Sequence, residues 1–465
     1  MEKGAIRHGE RGVEVLNLRG KRITVVGAGI SGRELALLAC RLGARVFVSE
    51  SGPISPAASD LLGCSGIEWE AEGHTERAFQ ADALLLSSGI PPHAEIVRGA
   101  ERRGIPLIGE LDLVVPHLRG KLVAVTGSNG KSTVTSLIGH MLQRAGWEAG
   151  VGGNLGTAAS AFTDKDFDAV VLELSSFQLS RASVLSAAVS LVTNLAPDHI
   201  DWHGSYEAYV EAKARVLALR DPSGWGIVQD RDVEALGASH AERLLTLSWN
   251  REPVHRMAGH IFMDGDRACL IRDGAEQTLF HYAETSLLGG HNRENVAMSL
   301  AALRLLGVDR PARELIEGFA PLPHRCEHAG VLDGVVYVDD SKGTNVAASV
   351  TAMTSLEGRK VVILGGRGKG EDYAPLAEAV LREADAAVLM GEESEAIARA
   401  LQKANFSAVH TVKDMEEAVR TARALARPGM TVLLSPACTS WDLYANYGQR
   451  GDHFCSIVRE LAAGA

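Results

Sequence analysis

Lys131 and Ser132 close the stretch VAVTGSNGKST (123–133), in which an apolar run meets a turn opened by Gly127 and ended by Gly130. A strand, two glycines, a lysine and a hydroxyl at the start of a helix make a phosphate cradle. Freed backbone amides point inward, the lysine reaches the β and γ phosphates, and the hydroxyl is placed to hold Mg²⁺. A full Walker spacing would need glycine where Val125 stands, so this is a shorter GxxGKS loop. It predicts nucleoside triphosphate binding. Glu173 interrupts the apolar run DAVVLELSSFQL (168–179), and a carboxylate at a strand tip beside a phosphate loop suits Mg²⁺.

Two further groups could do chemistry. Asp198, His199, Asp201 and His203 crowd a loop after a strand ending at Asn194; these residue types suit either metal ligation or the capping of loops and helices. On the next helix, at about 100° per residue, Tyr206, Tyr209, Val210, Val216 and Leu217 lie within about 60° of Lys213. Glu207, Glu211 and Arg215 face the other side. An ammonium on an apolar face must be paired, deprotonated or modified. It snorkels to water, or its neutral amine reacts with CO₂ to give a carbamate, a carboxylate able to bind metal.

Three strand-turn-helix starts position these groups: RITVVGAGISG (22–32), LVAVTGSNGKST (122–133) and KVVILGGRGKG (360–370). Apolar strands alternating with amphipathic helices predict an α/β chain with parallel sheets. Between residues 249 and 280 short strands with Asp264-Gly265 and Asp273-Gly274 predict a small antiparallel insertion in the middle domain. Proline-bearing stretches at 114–120 and 320–325, the latter with Pro321 and Pro323, read as hinges and set domain limits of 1–118, 119–321 and 322–465. The first unit carries Gly27, Gly29 and Gly32 in GxGxxG, then Glu50 at a strand end. Such glycines fit NAD or another pyrophosphate such as a UDP-sugar, and they do not choose. LLLSSGIPP (84–92) puts small polar residues at a strand end, where ligands of open α/β sheets sit.

A length of 465 residues with 46% hydrophobic content fits two to four globular domains. A net charge of −11 without a dense basic tract excludes sequence-independent nucleic-acid binding. Six scattered cysteines with no CxxC pair argue against a disulfide framework or zinc site and for a reducing, cytoplasmic setting. No 18-residue apolar run exists, residues 1–20 lack the apolar core of a signal peptide, and about the first ten read as a loose polar tail.

The motifs TGSNGKST, ELSSFQL, TNLAPDHIDWHGS, YVEAKARV, GGHNRENVA, LPHRCE, VDDSKGTN, LGGRGKG and SPACTSWDLYANYGQRGDHF follow one another in the order and spacing of a known family. From about residue 20 onward the chain resembles the Mur ligases of bacterial peptidoglycan synthesis. GKST is shared across that family and with folylpolyglutamate synthases; DDSKGTN and SPACTSWD resemble its D-glutamate-adding branch. The resemblance implies a Rossmann-like N-terminal domain for the UDP substrate, a central P-loop ATPase-like domain with a mostly parallel sheet, and a Rossmann-like C-terminal domain for the amino acid. It implies ATP-dependent addition of D-glutamate to UDP-N-acetylmuramoyl-L-alanine through an acyl phosphate, by a monomer, with two Mg²⁺ ions. The alternative is a sibling ligase adding another amino acid. A nucleotide switch would leave the third-domain motifs without use, and an NAD-dependent oxidoreductase would leave GKST unexplained.

By the same resemblance, Gly127, Ser128, Asn129, Gly130, Lys131, Ser132 and Thr133 hold ATP phosphates, with Asn292 and Asn295 near adenine, Arg325 at the phosphates and Asp340 at the ribose. Ser132, Glu173, His199 and Lys213, the last as a carbamate, are metal-linked, and Lys131, Glu173, His199 and Lys213 form the catalytic set. Gly27, Ile30, Ser31, Ser88, Gly89 and Asn154 line the UDP-muramoyl site; Lys342, Thr344, Lys369, Ser440 and Tyr447 receive D-glutamate. Two positions depart from the family pattern: Trp202 replaces a basic residue, and Tyr447 stands where phenylalanine is usual.

Overall fold

A computed structural model describes residues 16–287, 289–320 and 322–463; the expected tail at residues 1–10 and Pro321 of the second hinge lie outside them. The first sheet has the order β3-β2-β1-β4-β5, from β1 (Arg22–Val26), β2 (Arg45–Ser49), β3 (Glu68–Glu70), β4 (Ala83–Leu86) and β5 (Leu107–Gly109). All its pairings are parallel. β4 reads ALLL and is buried throughout, the continuous apolar run of a strand covered on both faces.

The second sheet contains β6 (Lys121–Thr126), β7 (Ala149–Gly153), β8 (Ala169–Glu173), β9 (Val189–Val192), β10 (Trp225–Gln229), β11 (Leu244–Ser248), β12 (Gly259–Asp264), β13 (Arg267–Arg272) and β14 (Ala275–His281). Their order is β14-β13-β12-β11-β10-β9-β6-β8-β7. The antiparallel strands expected after residue 249 are present, but they extend this sheet rather than standing apart, because β12 pairs parallel with β11 at Leu245 and Gly259. Asp264 still pairs with Arg267, so the first turn is Gly265-Asp266. The second is Asp273-Gly274, with φ +54° and +76°, the left-handed pair a two-residue hairpin needs.

The third sheet has the order β15-β16-β20-β17-β18-β19, from β15 (Glu327–Leu332), β16 (Val335–Asp339), β17 (Lys360–Leu364), β18 (Ala384–Leu389), β19 (Val409–Thr411) and β20 (Thr431–Leu434). Only β15 runs antiparallel. β16, β20 and β17 are neighbours, so the loops leaving their C-terminal ends are brought together.

The chain divides into two compact units. One takes the chain up to Leu195 with Glu207–Glu284 and Asn295–Glu317; the other takes Ala196–Tyr206, Thr285–Glu294 and the chain from Gly318. The first two sheets thus share a unit, joined where Asp112 Oδ1 accepts the N–H groups of Ser183 and Val184 at 2.7 and 3.2 Å. No helix among the described residues is long and apolar enough to cross a membrane.

Candidate active site

Gly127 follows β6 at φ +139° and Gly130 precedes the helix Lys131–Arg144 at φ +81°, both in backbone regions that favour glycine. Between them the loop is clamped by the end of β9. Ser128 N–H donates to Asn194 O at 2.8 Å, Asn129 N–H to Asn194 Oδ1 at 3.0 Å, and Thr193 Oγ1 to Asn129 O. A Cβ at Gly130 would come 2.6 Å from Asn295 Oδ1, so the Asn295 side chain lies against the loop. Ser132 and Thr133 lie in the first turn of the helix and are buried.

Two lysines converge on one oxygen. Lys131 Nζ donates to Gly127 O at 3.0 Å and to Ser128 O at 2.8 Å, and Lys213 Nζ donates to the same Gly127 O at 2.7 Å. Lys213 is 2% exposed, with its ammonium 4.6 Å from the ring centroid of Tyr209. The apolar-face placement is therefore correct, and this lysine does not snorkel. Tyr209 hydroxyl lies 2.8 Å from Ser128 Oγ, fixing the helix Tyr206–Ala218 to the loop.

Glu173 ends β8 opposite Val125 of β6 and is 3% exposed. Asn154 donates to its Oε1 at 2.8 Å, which joins a residue expected at the UDP substrate to one expected at the metal. Ser132 and Glu173 offer a hydroxyl and a carboxylate, the oxygen donors a hard divalent cation takes.

Asp198, His199, Asp201 and His203 belong to the other unit and do not make up a three-membered metal-capable group among the described residues. Among the described residues the one group of three metal-capable side chains is His324, Glu327 and Asp339. His199, at φ +53°, starts the short helix Ile200–His203, with its Nε2 3.6 Å from Asp198 Oδ2. Asp198 Oδ1 meets Lys369 Nζ at 2.8 Å, and Asn345 Nδ2 donates to Asp198 Oδ2 at 3.3 Å. Sequence reasoning missed both partners, which lie more than 140 positions away.

The other expected acceptor residues occupy the loops after β16 and β20 and the helix Tyr447–Ala463. Lys342 Nζ sits 3.8 Å from the Tyr447 ring centroid, and Thr344 N–H donates to Lys342 O at 2.8 Å. Ser440 is 2% exposed. Arg325 lies between two left-handed residues, His324 and Cys326. Asn292, in the same unit, donates its N–H to Gly289 O at 3.1 Å. Asp340 is turned inward: its Oδ2 accepts from Ser435 Oγ at 2.6 Å and its Oδ1 from Cys326 N–H at 3.2 Å, and burial pushes its carboxyl up to about 7.

At the first sheet, Gly27 has φ +99°, and a Cβ at Gly32 would collide with Gly27 O, so both glycines are required for the turn and the helix packed on it. Ile30, at the first turn of the helix Ile30–Arg41, is 69% exposed. Ser31 and Ser88 are half-buried and Gly89 is exposed. Glu50 turns back on the glycine loop. Its Oε2 accepts Ala28 N–H at 2.7 Å and its Oε1 accepts Gly52 N–H at 3.0 Å. Burial works to raise its carboxyl, but these N–H groups hold it below the usual range.

Family models match all three sheets: a MurD N-terminal domain over residues 22–96, a Mur ligase middle domain over 125–303 and a Mur ligase glutamate ligase domain over 324–438. The UDP-N-acetylmuramoylalanine–D-glutamate ligase of Salinibacter ruber is 37% identical over 462 residues, covering 96% of this chain and 99% of that protein. The chain belongs to the Mur ligase family. Its counterpart of the same name from Pelotomaculum thermopropionicum is 35% identical over 452 residues, covering 96% and 98% of the two chains. The solved UDP-N-acetylmuramate–alanine ligase of Thermotoga maritima, at 18% identity, superposes over 96% of this chain and 100% of that one with a TM-score of 0.58. The three-sheet α/β architecture is that of a Mur ligase.

Proposed function

We propose that this Mur ligase joins D-glutamate to UDP-N-acetylmuramoyl-L-alanine at the expense of ATP, releasing ADP and phosphate, as a cytoplasmic step in building peptidoglycan precursors. The observation that carries the reading is the convergence of Lys131 and Lys213 on Gly127 O, within a chain that a ligase of that name matches over 96% of its length. A loop closed by the Lys131 ammonium and glycine amides is built for concentrated negative charge, with Lys213 beside it as the group to be carbamylated.

An amide does not form from a carboxylate at neutral pH without activation. The carboxylate oxygen of the UDP substrate attacks the γ phosphorus, the bond to ADP breaks, and an acyl phosphate results. The uncharged amine of D-glutamate then attacks the acyl carbon, loses a proton, and expels phosphate. Residues 127–133 would hold the transferring phosphoryl group, and Lys342, Thr344, Lys369, Ser440 and Tyr447 the acceptor. Mg²⁺ would be held by Ser132, Glu173 and a carbamate on Lys213; when bound it neutralises phosphate charge. Gly27, Ile30, Ser31, Ser88, Gly89 and Asn154 would take the UDP substrate.

Phosphate release with ATP, Mg²⁺ and UDP-N-acetylmuramoyl-L-alanine, run against amino acids of both hands, tests this directly. D-glutamate alone should stimulate release. A response to another amino acid in its place would assign the chain to a different Mur reaction.

A further inference from the structure

Arg450 is among the most deeply buried large side chains of the protein, 2% exposed, yet every group it bonds to is neutral. Its Nε donates to Ser341 Oγ at 2.9 Å and its Nη2 to Ser341 O at 2.8 Å and Cys438 O at 3.1 Å. Its Nη1 donates to Thr439 O at 3.2 Å. Ser341 Oγ in turn donates to Tyr447 O at 2.8 Å, closing a ring back to the start of the helix that carries Arg450. The loop after β17 joins the same hub: Arg367 N–H donates to Thr439 O at 3.0 Å, and a Cβ at Gly366 would come 3.1 Å from Arg450 Nη1.

Removing a cation from water without a bonded carboxylate is costly. Asp339 and Asp442 act on this one only through space, and burial lowers its guanidinium to about 10. Hydrophobic packing would hold a helix against a sheet at less expense. What only a guanidinium supplies is a planar fork of five donors that can bond several carbonyls at once.

Those carbonyls are not arbitrary. Ser341 adjoins Lys342 and lies three positions before Thr344; Thr439 adjoins Ser440; Gly366 lies three before Lys369. We propose that Arg450 is the positioning residue of the acceptor site, holding the loops after β16, β17 and β20 in one arrangement so that a dicarboxylate amino acid meets preset donors. The proposal rests on the D-glutamate reading above. Arg450 makes no contact with substrate in this scheme; it acts through Ser341, Cys438 and Thr439, and its buried charge adds a favourable field for an anionic ligand.

The test is steady-state kinetics of Arg450→Lys and Arg450→Ala, with each substrate varied in turn and thermal unfolding recorded alongside. Arg450→Lys keeps the charge but loses the fork, and a misplacement of about 1 Å is enough to cost about a hundredfold. The Michaelis constant for D-glutamate should therefore rise at least about tenfold while those for ATP and the UDP substrate stay within about twofold. Guanidinium ion at millimolar concentration should restore part of the D-glutamate response of Arg450→Ala. If all three constants rise together with a fall in melting temperature, or if the D-glutamate constant of Arg450→Lys is unchanged, the positioning role is wrong. Should Arg450→Ala fail to fold, Arg450→Lys decides alone. If the unaltered enzyme uses another amino acid, the functional reading fails by itself, and the same comparison on that amino acid still judges Arg450.

Discussion

Lys131 and Lys213 donate to the same carbonyl oxygen, that of Gly127, at 3.0 and 2.7 Å. Their ammonium groups thus lie within about 6 Å of each other, a like-charge contact that an incoming anion relieves. Carbamylation of Lys213 would turn the pair into opposite charges and supply a metal-binding carboxylate. Lys213→Ala should therefore lose most turnover and regain part of it when acetate is added, because the small anion can fill the vacated space. Full activity without acetate would rule out the carbamate.

Lys369 and Asp198 form an ion pair in which both side chains are about nine-tenths buried, at 10% and 8% exposure. Removing one partner of such a pair costs about 3 to 5 kcal/mol, much of it from the charge left behind. Lys369→Ala should lower unfolding stability by this order and also raise the Michaelis constant for D-glutamate by well over about tenfold, leaving ATP binding intact. Urea melts and D-glutamate titrations check the two halves separately. An unchanged D-glutamate response would remove Lys369 from the acceptor site.

Glu371 has its Oε2 on Val346 N–H at 3.0 Å, and its carboxyl is pushed up to about 7, first by burial and further by the Asp198 charge. Its unfolded value is 4.5. Between those values the unfolded chain releases the proton while the folded chain keeps it, so this group's contribution to stability falls as pH rises from 4.5 to about 7. Glu371→Gln keeps the acceptor oxygen and removes the titration. Its urea midpoint should fall less steeply than that of the unaltered protein across this window; parallel curves would contradict the assignment.

Glu50 is the residue that would read the ribose hydroxyls of NAD, but its two oxygens already accept the N–H groups of Ala28 and Gly52. Calorimetry should show heat with UDP-N-acetylmuramoyl-L-alanine and none with NAD. Tight NAD binding without a response to the UDP-sugar would reverse the assignment of the first sheet.

Strand-turn-helix starts were readable in the sequence because glycine turns and apolar runs are local signals, and all three open a sheet strand. The face occupied by Lys213 was readable for the same reason: helical periodicity is set within two turns. Asp198 was not. Its carboxylate suited either a metal or a cap, and its partners Asn345 and Lys369 come from another part of the chain that no spacing rule connects to it. Nothing local marks Arg450 in the sequence, because its burial depends on partners 109 and 12 residues earlier. The hydrogen bond that Ser435 makes to Asp340 was likewise out of reach of local reading, since the two are 95 positions apart.

Isotope transfer tests the central claim most directly. With ¹⁸O in the carboxylate of UDP-N-acetylmuramoyl-L-alanine, ATP and D-glutamate, an acyl phosphate must hand one labelled oxygen to each phosphate released as the new amide forms. The account predicts singly labelled phosphate in one-to-one ratio with a product heavier by one glutamyl residue. Unlabelled phosphate, or phosphate released without that product, would contradict it.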